Sequence, residues 1–120
     1  MPFIHLKVAG PTLAPEQIQR LQQRLTALSD QTFDPVSGPA AVLIEPVAIA
    51  GWSIDGKPVQ IVAHLEIKAP GNSAPGARQK ANLIEETATL LRRILGAPLE
   101  SLSFVIIEEH SSCHWSTSHC

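Results

Sequence analysis

Long apolar runs are missing from this sequence: none approaches the roughly 20 residues that a membrane-spanning helix needs. The opening stretch, MPFIHLKV, also lacks the charged-then-apolar layout of a secretory signal. A cytoplasmic protein is therefore expected. Charge is sparse as well. Asp, Glu, Lys and Arg make up 17% of the 120 residues, the formal net charge is −2, and the nine basic residues are scattered rather than striped. That pattern argues against nucleic acid or an anionic membrane as the main partner. Cysteine occurs only at Cys113 and Cys120, both in the tail, whereas a disulfide framework would spread its cysteines over the fold. A glycine-rich nucleotide loop, a phosphate-binding motif and a Ser/His/Asp arrangement are likewise absent.

What is present suits one compact domain covering residues 1–120, because 44% of the residues are apolar. Residues 2–9, PFIHLKVA, form a short apolar run closed by Gly10-Pro11, which predicts a strand. Pro15 and Glu16 suit a helix first turn. Ile18, Leu21, Leu25 and Leu28 then follow at spacings of three and four, drawing one apolar stripe that fades near Ser29–Thr32. After a loop from Asp34 to Pro39, Ala41–Val47 predicts a second strand.

The second half repeats this plan. Val59–Ile67 predicts a strand and Ala69–Ala74 a loop. Pro75 opens a helix whose face carries Ile84, Ala88, Leu91 and Leu95, widened by Leu83, Leu90 and Ile94, and Gly96 is placed to stop it. Leu102–Glu108 predicts the fourth strand. The halves, about 2–56 and 57–116, align: His5-Leu6 with His64-Leu65, Pro15 with Pro75, Ile44-Glu45 with Ile107-Glu108, and Trp52-Ser53 with Trp115-Ser116. An internal repeat of this kind is a fold-level signal. A helix between two strands of one repeat implies that those strands run parallel. The expected fold is α/β (α+β): a tandem β-α-β repeat, with one four-stranded sheet and two helices on one face. VLI and FVII are apolar without alternation, so both faces of those strands need cover, and oligomerisation through the sheet follows.

At this point the sequence resembles the tautomerase superfamily, in particular a fused tandem form of the 4-oxalocrotonate tautomerases. Gly96 to Glu109, GAPLESLSFVIIEE, is similar to that family's helix exit and second strand. Val42 to Gly56, VLIEPVAIAGWSIDG, resembles the same strand and the hairpin after it, with Trp52 at the place of an active-site aromatic. Met-Pro ahead of an apolar strand is similar to the family's N-terminal signature. The resemblance implies a tautomerase/MIF-like fold, a homotrimer with the active site at a subunit boundary, a small-molecule carboxylate substrate and no cofactor.

It also implies a catalytic role for Pro2. Once Met1 is removed, as initiator methionine normally is before a small residue, Pro2 carries a free secondary amine. The reference pKa of an α-amino group is about 7.7–8.0, and an apolar pocket lowers it further, leaving a base at neutral pH. Such a base would take the proton from an enol hydroxyl and return it at carbon. Kept protonated, Pro2 would instead act as an acid, as in the haloacrylic-acid dehalogenases of the same superfamily. The internal copy begins near Pro58–Ile61 and has no terminal amine.

The sequence departs from the family pattern at its arginines, which hold substrate carboxylates. The loop after the first strand reads AGPTLAPE and its repeat KAPGNSAPG, and the later positions match Ala41 and Ser103. None is arginine. Lys68 and Arg78, and after them Lys57, are the candidate substitutes, with Trp52 and Trp115 as pocket walls. Glu45 and Glu108 are candidate acids or water-activating bases. His110, Cys113, His114, His119 and Cys120 are metal-binding residue types, yet their spacing matches no standard finger, so no metal is assigned. The alternative outside enzymes is a non-catalytic oligomer that keeps the fold and binds a small molecule, or a metal through this tail.

Overall fold

The computed structural model of the protein describes residues 2–33, 38–71, 75–96 and 99–109. Six strands and two α-helices follow one another: β1 (Phe3–Ala9), α1 (Pro15–Thr32), β2 (Ala41–Val47), β3 (Ser53–Ile54), β4 (Lys57–Pro58), β5 (Val62–Pro70), α2 (Ala77–Leu95) and β6 (Ser101–Glu109). The long strands form one sheet in the order β2-β1-β5-β6. Within each half the strands run parallel, as a helical crossover requires. The halves join through an antiparallel β1–β5 pair.

Leu6 lies opposite Leu65 in that central pair, so the residues that align in the repeat face each other across its middle. From there the register extends outward, with Leu6 beside Ile44 and Leu65 beside Phe104. Ile44 therefore corresponds to Phe104, not to Ile107 as the sequence alignment has it. By the same register Ala41, beside Phe3, corresponds to Ser101, beside Val62, rather than to Ser103. Neither position holds an arginine.

Strand alternation divides the sheet into two unlike faces. Ile4, Leu6, Val8, Ala63, Leu65, Ile67 and Ala69 are buried in one core with Leu21 and Leu25 of α1 and Leu83, Leu91 and Ile94 of α2. Both helices therefore cover one face. On the other face the two central strands present Phe3, His5, Lys7, His64, Glu66 and Lys68, all at least partly accessible. Pro46 costs no ladder bond on one side, because β2 is a sheet edge.

Three boundaries differ from the sequence reading. The third long strand runs Val62–Pro70, not Val59–Ile67. Lys57-Pro58 is instead taken by the hairpin with Ser53-Ile54, turned by Asp55 and Gly56 at φ 53° and 72°. Two positive φ values in a two-residue Asp-Gly loop are what a tight hairpin needs. Pro75 precedes α2 instead of opening it, since Gly76 is the cap and Ala77 the first helical residue. The buried stripe of α2 is Leu83, Thr87, Leu91 and Ile94: Leu91 and the widening residues Leu83 and Ile94 are where expected, whereas Thr87 takes a core place and Ile84, Ala88 and Leu95 lie at its margin. Gly96 does end α2, in the left-handed conformation at φ 65°.

Candidate active site

Pro2 stands immediately before β1 and is fully buried. Its carbonyl accepts the Ala41 N–H at 2.9 Å, fixing it to the start of β2. Phe3 pairs with Lys68, so Pro2 comes level with Ala69, and Ala69 pairs with Glu108. Alternation places Pro2 on the helix-covered side with Ile4, among apolar neighbours.

Two of the sequence candidates share this end of the sheet. Lys68 is exposed, opposite Phe3, with its ammonium 3.9 Å from Glu66. Arg78 is exposed in the first turn of α2, the helix that follows β5 out of this end. A third cation escaped the sequence reading. Lys80 donates to Glu108 Oε1 at 2.8 Å, and that pair lies two strands from Pro2 across Ala69, roughly 10 Å away by strand spacing. Its signal was a lysine one turn into α2, visible only once the helix and β6 are docked.

Trp52 is elsewhere. It follows a 3-10 turn at Ile49–Gly51, is half-buried, and walls an open groove of about 530 Å³ on the uncovered sheet face. Lys7, Glu45, Val47, Gly51, Ser53, His64 and Ser103 complete the lining. Lys7 lies five residues along β1 from Pro2, roughly 16 Å at strand rise. Pro2 and Trp52 therefore do not share a pocket within one copy of the chain. Lys57 sits in the same hairpin as Trp52, exposed. Glu45 is engaged by His5, whose Nε2 lies 2.6 Å from Oε1. Trp115, Met1 and the His/Cys tail lie outside the described residues. Among the described residues no group of three His, Cys, Asp or Glu could hold a metal, and no helix is long and apolar enough to cross a membrane.

No protein-family model matches the sequence, and no curated protein does. Solved structures do match. A macrophage migration inhibitory factor-like protein of Entamoeba histolytica superposes with a TM-score of 0.72 at 15% identity, covering 98% of this chain and 96% of that one. The chain has the tautomerase-superfamily fold. A fused 4-OT wild type symmetric trimer shares this tautomerase fold at a TM-score of 0.73 and 14% identity, over 92% of this chain and 87% of the other. Leishmania major MIF2 shares it at 0.71 and 14%, over 91% and 89%. Such coverage means that the whole tautomerase fold is present, both β-α-β halves included. At these identities the residue-level chemistry must be argued from this chain's own side chains.

Proposed function

We propose that the chain is a tautomerase acting on a small enolic or unsaturated carboxylate, with the amine of Pro2 as general base after Met1 is removed. The observation that carries this reading is the place of Pro2: buried, directly ahead of a central strand, in a tautomerase fold. Burial among apolar groups disfavours the charged amine and favours the free base. The base takes a proton from the enol oxygen as the carbon–carbon double bond reorganises, and the ammonium then protonates carbon, giving the ketone and restoring the amine. Arg78, in the first turn of α2, supplies positive charge for the substrate carboxylate at this end, in place of arginines at the family positions, and keeps their bidentate fork. Lys68 stands at the same end but on the opposite sheet face from Pro2, so its part is toward a neighbouring copy. Assembly into a homotrimer is the arrangement in which a second copy's Trp52 meets Pro2.

A hydratase or dehalogenase reading draws support from one observation, the Glu108 carboxylate at the Pro2 end: it is paired with Lys80 and, once released, is the base that activates water if Pro2 stays protonated. The pH profile separates the two. A proline base gives kcat/KM that rises with pH through the amine pKa, whereas a proline acid gives one that falls.

The test follows enol-to-keto conversion of phenylenolpyruvate and 2-hydroxymuconate by ultraviolet absorbance, with protein shown by mass to lack Met1. Pro2→Ala should lower kcat by about a hundredfold or more. Protein retaining Met1, whose Pro2 nitrogen is an amide, should be inactive. Absence of turnover above the buffer rate in the Met1-free protein would reject the tautomerase reading.

A further inference from the structure

The register aligns Glu45, Lys7, His64 and Ser103 in one row across all four strands. All four line the groove that Trp52 walls, and the proton transfer at Pro2 uses none of them. Two short contacts decide which groups are engaged. Glu45 Oε1 meets His5 Nε2 at 2.6 Å, and Ser103 Oγ meets His64 Nδ1 at 2.7 Å. The Ser103 hydroxyl lies 2.7 Å from Nδ1 and 3.4 Å from the Ala63 carbonyl oxygen, which leaves Nε2 as the ring nitrogen without a hydrogen bond among the described residues. Lys7 has no ion-pair partner among them either.

Lys7 and His64 are a direct cross-strand pair on one face, so their Cβ atoms are about 5 Å apart. The Lys7 ammonium, with the His64 ring as second donor when it carries a proton on Nε2, suits the two oxygens of one carboxylate. Trp52 and Val47 offer the apolar surface beside them, and about 530 Å³ falls within the range of small-molecule sites. We infer that this groove is a second binding site, for a small aromatic or unsaturated carboxylate, with Lys7 and His64 holding the carboxylate and Trp52 against the apolar part. The site does not depend on the chemistry proposed for Pro2.

Benzoate is the probe and benzamide its uncharged counterpart, titrated into Trp115→Phe protein. The sequence has two tryptophans, so Trp52 is then the sole reporter. Benzoate should change Trp52 emission saturably, and benzamide should bind about tenfold or more weakly. Lys7→Gln, which keeps most of the side chain's bulk, should weaken benzoate binding by a similar factor. His64→Gln should do the same and serves as the second variant if Lys7→Gln fails to fold. Pro2→Ala should leave the benzoate affinity at the parent value. The assignment is overturned by no Trp52 response to millimolar benzoate, by equal binding of benzamide, by parent-like affinity in a folded Lys7→Gln or His64→Gln protein, or by loss of binding in Pro2→Ala, which would place benzoate at the proline.

Discussion

Gly10 closes β1 with φ at 119°, a conformation that L side chains avoid, and a Cβ built there would lie 2.3 Å from the Gln60 carbonyl oxygen. That obstruction is backbone, so it cannot rotate away. Gly10→Ala is expected to lower unfolding free energy by about 2 kcal/mol or more in urea titrations, through backbone strain and the clash together. The Gly10-Pro11 stop was legible in the sequence, but the close approach of Gln60 was not, because it is made by a residue fifty positions later. Thr87 shows the same limit from the other side. It is buried at a core position of α2 and its hydroxyl donates to the Leu83 carbonyl at 2.7 Å, a local bond that lets a polar residue sit among Leu83, Leu91 and Ile94. An apolar-stripe reading finds Leu83, Leu91 and Ile94 but passes over the threonine among them, and so centres the stripe on Ile84 and Ala88.

Each helix, as an element, begins with the same device. Neither Ala14 nor Gly76 has a side-chain acceptor, so the glutamine three residues on reaches back: Gln17 Oε1 accepts the Ala14 N–H and Gln79 Oε1 the Gly76 N–H, both at 2.8 Å. This is one half of a capping box, satisfying a donor at the helix start. Gln17 does more, because its Nε2 also donates to the Ile94 carbonyl at 3.0 Å and ties the start of α1 to the end of α2. Gln17→Ala should therefore cost about 1–2 kcal/mol in chemical denaturation, against less than about 1 kcal/mol for Gln79→Ala. Equal costs would mean that the interhelical bond adds nothing. Element type was legible nearly throughout, since both helices carry an apolar stripe and each long strand is a short apolar run bounded by turn residues. Boundaries were less so: Val59–Ile61 continues the apolar pattern of β5, and only the Asp55-Gly56 hairpin reveals that the chain is still turning there.

For the whole molecule, the repeat made the two β-α-β halves legible but not how they join, since like residues can meet across either a parallel or an antiparallel seam. The parallel β1–β2 pair has a consequence for the site. Trp52 follows the end of β2, so the start of β1 and the Trp52 groove lie at opposite ends of the sheet, and a pocket containing both needs two copies of the chain. The uncovered face supports such an assembly: its centre is polar, while its outer strands carry exposed Leu43 and Ile107, at 44% and 37% accessibility, beside unpaired strand edges. Covering a leucine that is less than half exposed contributes about 1 kcal/mol, so two or more such contacts together shift association by about tenfold or more. Sedimentation should therefore find the parent as a trimer and Leu43→Asp displaced toward monomer at the same concentration. Turnover supplies the discriminating second reading. If the neighbour's tryptophan completes the pocket around Pro2, specific activity should fall on dilution and fall further in Leu43→Asp, although Leu43 does not line the Trp52 groove. If dilution dissociates the assembly and activity per chain stays constant, each copy carries a complete site, and Trp52 belongs only to the groove of Lys7 and His64.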